Sequence, residues 1–301
     1  MKQVWRAAAL AWLMSWTGVA GAAGPLFLWE VRDAEGSLRA WLFGTVHVCD
    51  GTCFPLPRPV HEALGAADGL ALELDPNDPA VQRRLLEMAL LPDGTLLDAQ
   101  LPPELRPRLA RAVTQVGLPP EAIQRMRPWM AFMLLTLRAS EMAGLHSDQG
   151  VDLSLVRMAR AENKPLWSLE SVDRQIAALS GGGDAAQVGV LREVVELIES
   201  GKARDYFQRT LDAWRRGDAM AMDRLMREEF SSPETQPLMV ELLDRRNREM
   251  ADRILRRVDE GGRPFVAVGA GHLTGPTGLL AEIGSRGYRL QQVVDETPDA
   301  N

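Results

Sequence analysis

Two short segments at opposite ends of the chain place the same chemistry after the same kind of apolar run. Gly44-Thr45-Val46-His47 closes "WLFGTVH", and Gly269-Ala270-Gly271-His272 closes "FVAVGAGH". Two of only four histidines therefore sit three residues after a glycine that ends a strand-like segment. Glycine lets the backbone bend or approach a neighbour where a side chain would clash. A single histidine in such a place is usually a structural hydrogen bonder, but the repetition points to a shared site. Neutral imidazoles are the commonest metal ligands. His61, in "PVHEAL", and His146, in "GLHSD", lack this context and read as surface or structural residues.

A carboxylate stands near the first motif. In "GLALELD" strand alternation puts Ala71, Glu73 and Asp75 on one face and Leu72 and Leu74 on the other. Strands of a parallel sheet are usually apolar on both faces. Glu73 is therefore costly unless it is paired, hydrogen-bonded or metal-bound. An arginine salt bridge is the plain alternative to a metal. Two histidines and a carboxylate suit zinc, manganese, cobalt or ferrous iron and leave positions open for water or substrate.

A second anomaly lies near the C-terminus. Met239, Leu242, Leu243, Met250 and Ile254 mark the apolar stripe of a helix, and Arg246 and Asn247 fall inside it. A buried arginine needs an anion. Glu73, Asp75, a substrate carboxylate or a tetrahedral oxyanion would serve, and so would an ion pair tying helix to sheet.

The elements that must position these residues alternate. Strands are expected at 26–32 and 38–48 around a hairpin at 33–37, then at 69–75, near Leu166 in "KPLWSLE", in "RPFVAVGAGHL" and in "YRLQQVVD". Helices are expected at 59–67, from the Asp78-Pro79 cap onwards, and at 103–116, 120–143, 151–162, 185–200, 203–230, 235–259 and 277–285. The fold class is therefore α/β: a central mixed or parallel sheet, flanking helices and a largely helical cap. Ligands of open α/β sheets gather beyond the carboxyl ends of the strands, where both histidines would lie.

The first residues suggest export. Lys2 and Arg6 precede a mostly apolar run from Ala7 to Val19, and Ala20-Gly21-Ala22 offers small residues for cleavage. Residues 1–22 read as a cleaved signal peptide, and 23–301 as a single domain with a helical insertion at about 78–260 around the strand near 166. No later apolar run is long enough to cross a membrane, so the mature chain is expected to be soluble and, with its signal cleaved, periplasmic or secreted. Without Lys2 and Arg6 it carries 32 basic against 41 acidic residues. That balance argues against a nucleic-acid or anionic-membrane partner. In an oxidising compartment Cys49 and Cys53 read as a disulfide that shapes the turn after His47, with a metal-thiolate site as the rival reading.

Taken together, "LFGTVHV", "FPLPRPVHEALGAADGLALELD", "RMRPWMAFMLL", "DRRNREMADRI" and "FVAVGAGHLTGPTGLL" resemble the TraB/GumN family, related to the Tiki proteins, over about 26–296. The resemblance implies a fold like that of the erythromycin esterase and ChaN group. It implies a metal site in which His47, His272 and Glu73 carry the activity and Arg246 and Asn247 match a recurring pair. The disulfide loop is not shared by all members.

The reading is thus an exported metal-dependent hydrolase acting on peptides. His47 and His272 are expected ligands of a divalent metal ion, Glu73 either a third ligand or the general base, and Arg246 or Asn247 the oxyanion stabiliser. A haem- or metal-binding protein without turnover is one alternative. An esterase or an exopolysaccharide-processing factor is another.

Overall fold

A computed structural model describes residues 24–229 and 232–296, and the expected signal peptide lies outside them. Among these described residues six strands form one mixed sheet: β1 (Gly24–Arg32), β2 (Leu38–Thr45), β3 (Leu70–Leu72), β4 (Leu166–Ser168), β5 (Phe265–Gly269) and β6 (Arg289–Asp295), in the order β4-β3-β5-β2-β1-β6. β4, β3, β5 and β2 run parallel, while β1 is antiparallel to both β2 and β6. β3 is buried throughout and β5 at every residue but Gly269, as parallel strands covered on both faces should be. The edge strand β6 is half exposed.

The hairpin between β1 and β2 closes on Asp33. Its carboxylate accepts from Ser37 N at 2.7 Å, and Gly36 supplies the left-handed residue at φ +85°.

Among the described residues twelve α-helices surround the sheet: α1 (Arg58–Ala66), α2 (Pro79–Ala89), α3 (Leu105–Gln115), α4 (Pro128–Met142), α5 (Val151–Ala161), α6 (Val172–Leu179), α7 (Gly183–Glu199), α8 (Ala203–Arg215), α9 (Ala219–Glu229), α10 (Gln236–Met239), α11 (Arg246–Asp259) and α12 (Leu279–Gly284). A π-helical stretch, Val240–Arg245, joins α10 to α11 without a break. One apolar core runs from Phe27 in β1 through α3, α5 and α7 to Ile283 in α12. No helix among the described residues is long and apolar enough to cross a membrane.

Several boundaries differ from expectation for local reasons. The helix expected at 203–230 breaks at Gly217, where φ is +60° and a side chain would meet the Pro25 carbonyl. Asp218 then caps α9 by accepting from Ala221 N at 2.8 Å. The helix expected at 120–143 starts only at Pro128, after a 3-10 turn at Pro120–Ile123. Helix α6, capped by Ser171, was not expected. The strand expected at 38–48 stops at Thr45 and that at 69–75 at Leu72. Pairing nonetheless continues past β3 and β4, because Leu169 N donates to Leu72 O at 2.6 Å and Glu170 N to Glu73 O at 3.1 Å. This places two glutamates side by side at the carboxyl end of the sheet.

Candidate functional site

The parallel register of β2 and β5 sets Thr45 beside Gly269, so both Gly-x-x-His segments leave the carboxyl end of the sheet from neighbouring central strands. Their glycines serve different contacts. A Cβ on Gly44 would lie 2.4 Å from the Phe27 ring, so that glycine is needed for packing. A Cβ on Gly269 would lie 3.4 Å from Glu73 Oε1, 3.5 Å from His47 Nε2 and 3.7 Å from His272 Cδ2. Three residues far apart in the chain thus converge on the face of one glycine. The structure brings together His47, His272 and Glu73.

The two imidazoles stand in opposite surroundings. Beyond Thr45 the chain turns outward, and the His47 side chain is 68% exposed. Beyond Gly269 it enters the 3-10 turn Ala270–His272, which buries His272. Each ring has its Nδ1 against a side-chain oxygen. His47 Nδ1 lies 3.3 Å from Asp152 Oδ1, and His272 Nδ1 lies 2.7 Å from Asn247 Oδ1. Asn247 Nδ2 donates to Thr277 O at 2.9 Å, which fixes the amide so that its oxygen faces the ring. His272 therefore donates from Nδ1 and keeps a lone pair on Nε2, 3.7 Å from Glu73 Oε2.

Glu73 is held at both oxygens. Gly269 N donates to Oε1 at 2.8 Å, while Arg246 Nη2 at 2.6 Å and Gln175 Nε2 at 3.4 Å donate to Oε2. Arg246 also donates from Nε and Nη2 to Glu170, and from Nη1 to Leu242 O. Arg246 and Asn247 open α11 directly after the π turn, Arg246 against the two glutamates and Asn247 between His272 and Thr277. Such turns often occur at functional sites. Asp75 does not join them; it pairs with Arg160 at 2.7 Å.

The charges follow from this packing. Burial lowers the His272 pKa to about 4, so its ring is neutral near pH 7. Burial opposes ionisation of Glu73, but the Arg246 guanidinium, the His47 ring and the Gly269 N–H together hold its carboxyl well below the usual range. Burial raises Glu170 against its bonds to Arg246. The Asp152 carboxylate draws His47 upward, a pull that water around its exposed ring screens.

The loop after His47 is closed by a Cys49–Cys53 disulfide. His61 and His146 are exposed and stand outside the cleft, although the backbone of His146 pairs with Cys49. Among the described residues, no group of three or more His, Cys, Asp or Glu side chains is placed so that it could hold a metal ion, His47, His272 and Glu73 included. A cavity of about 170 Å³ adjoins the cleft behind Asn247 and Gly271, lined in part by Met226, Met239 and Asp244.

The profile of the TraB/PrgY/gumN family matches residues 27–292. The chain belongs to the TraB/PrgY/gumN family. This TraB/PrgY/gumN chain is 27% identical over 258 residues to the uncharacterized protein YbaP of Escherichia coli, covering 85% of its own length and 92% of YbaP. It is 24% identical over 324 residues to the metalloprotease TIKI2 of Danio rerio, covering 90% of its own length and 62% of that protein. A metalloprotease TIKI homolog of Nematostella vectensis is 23% identical over 330 residues, with 90% of this chain and 67% of the relative covered. No solved structure matches the chain.

Three further residues of this TraB/PrgY/gumN chain escaped the sequence reading. Asp152, Glu170 and Gln175 all touch the site residues. The apolar-strand argument that singled out Glu73 could have found Glu170, which follows "KPLWSL" in the same way. Asp152 and Gln175 lie on ordinary amphipathic helices and give no such signal.

Proposed function

We propose that this chain is an exported, metal-dependent hydrolase of peptide or protein substrates, with His47, His272 and Glu73 as its metal-binding side chains. The observation that carries the reading is the convergence at Gly269 of two imidazoles and a carboxylate, each oriented from behind. Both Nδ1 atoms face oxygen acceptors, as ligating histidines usually do, and this leaves both Nε2 atoms for an ion. Charge points the same way. Glu73 stays ionised beside the two rings, an anionic oxygen ligand of the kind a divalent cation takes. The relatives named as metalloproteases support the hydrolytic part.

A bound divalent ion would supply a Lewis acid and an activated water. The side chains of this protein do the rest. His272 offers an unprotonated Nε2 because burial keeps its ring neutral. Glu73 suits a ligand better than a general base, since a base works best with a pKa near the operating pH and Glu73 is held far below it. Most of the Arg246 N–H groups go to Glu73, Glu170 and Leu242 O, and Asn247 turns its oxygen to His272 and an N–H to Thr277 O. We assign them to orienting Glu73 and His272 in place of the expected oxyanion role.

Metal analysis of freshly purified protein, followed by peptide, ester and glycan assays with and without added zinc, manganese or cobalt, tests the proposal. Metal-stimulated peptide cleavage is expected, lost in His272→Ala. Metal-free protein with no cleavage, or uptake of haem with a Soret band and no turnover, would overturn it.

A further inference from the structure

We propose that Asp152 is the positioning residue of the first histidine, and that the segment 146–152 is a brace that holds His47 with its Nε2 toward the cleft. The inference rests on the metal-site reading above and adds a part that no motif marks. His47 lies beyond the end of β2 and is mostly exposed, so the sheet does not hold it. A side chain this free would sample several rotamers, and ordering it on metal binding would cost affinity.

The brace consists of backbone contacts on both sides of the histidine. Val151 N donates to Val46 O at 2.9 Å, just before it. Cys49 and His146 exchange two hydrogen bonds, at 3.1 and 2.7 Å, just after it. Between them Gly150 lies against His47 itself, where an added Cβ would stand 2.6 Å from the His47 carbonyl oxygen. The far side of the same loop is closed by the Cys49–Cys53 disulfide and tied to α8 by Arg215 Nη2 on Asp50 Oδ1 at 3.1 Å. Two residues after Gly150, in the first turn of α5, Asp152 meets the His47 ring at Nδ1.

Holding Nδ1 against an acceptor sets which nitrogen faces inward and raises the ligand strength of the other. Asn247 does this for His272 from the buried face of α11. Asp152 does it for His47 from a partly buried position in the first turn of α5. A bare structural role is the competing account, because an acidic residue in the first turn stabilises a helix by its dipole alone. That role would leave the His47 ring where it is.

The test uses the full mature chain, wild type, Asp152→Ala and Asp152→Asn, with helix content and thermal melting recorded for each. In metal-free protein, nuclear Overhauser contacts between the His47 ring and Gly269 report the ring's orientation. Competition titration with zinc reports affinity. The proposal expects Asp152→Ala to lose the ring contacts and to weaken zinc binding about 10- to 100-fold. Asp152→Asn, which keeps an acceptor oxygen, restores both to within a few-fold. Loss in both variants still supports the proposal and makes the carboxylate charge the holding feature. Retained ring contacts in Asp152→Ala, with zinc affinity within two-fold of wild type, would overturn it. If wild type binds no zinc, the metal reading fails, while the ring contacts still decide the role of Asp152.

Discussion

His47 and His272 end equivalent strands, yet one is built into the protein and the other is set upon it. His272 is buried, neutral and held by an amide whose other end is fixed to Thr277 O. His47 is exposed, drawn toward its charged form by a carboxylate, and held by a loop closed with a disulfide. The contrast teaches that one motif can serve two ends. The buried station contributes to the fold as well as to the site, whereas the exposed station should contribute to the site alone.

The largest stability effect should come from the buried station's charge cluster. Arg246→Ala leaves Glu73 and Glu170 buried without their shared cation, and a loss of about 3–5 kcal/mol is expected in denaturant unfolding. An effect below about 1 kcal/mol would mean that water reaches the cluster and that the station is not buried in solution.

Acidification should separate the two rings by sign. Burial lowers the folded-state pKa of His272 to about 4 from 6.5, so its contribution is present above 6.5 and is lost as pH falls toward 4. About 2–3 kcal/mol should vanish in that window in metal-free protein. Asp152 draws His47 the other way, toward its charged form, but water around the exposed ring screens that pull, so its contribution is small, present below 6.5 and fading as pH rises above it. Comparing wild type with His272→Gln and His47→Gln by unfolding at pH 4 to 9 checks both. If His272→Gln loses stability on acidification as steeply as wild type, the comparison fails at its first term.

Asn247→Ala removes the amide between His272 and Thr277 O, leaving one donor and one acceptor unpaired, at a cost of about 1–3 kcal/mol. Next in size, His47→Ala should change stability by less than about 0.5 kcal/mol, as exposed positions do, while removing metal binding. Equal destabilisation by His47→Ala and His272→Ala would erase the distinction between the stations. Smallest of all, His61→Ala should leave both stability and metal affinity within a few-fold of wild type, since the residue is exposed on α1.

These contrasts show what the sequence could carry. The strands, the hairpin and the place of both motifs at the carboxyl end of the sheet were legible, because apolar runs and glycine-marked ends are local signals. Glu73 was legible as an anomaly, and its bond to Arg246 is the plain pairing that the apolar stripe also allowed. Asp75, also weighed as a partner of that arginine, goes to Arg160, because the strand ends at Leu72 and the face alternation does not reach it. The difference between the histidines was not legible. Burial of His272 depends on α11 and its π turn folding over the 3-10 segment. Exposure of His47 depends on a loop braced from a segment about a hundred residues away. Such contacts leave no period in the sequence.

The most direct test is anomalous scattering from a crystal of the protein loaded with zinc. The account predicts one peak per chain within about 2.0–2.1 Å of Nε2 of both His47 and His272, with Glu73 oxygen at a similar distance. A peak at other residues, or none with zinc in excess, would contradict it.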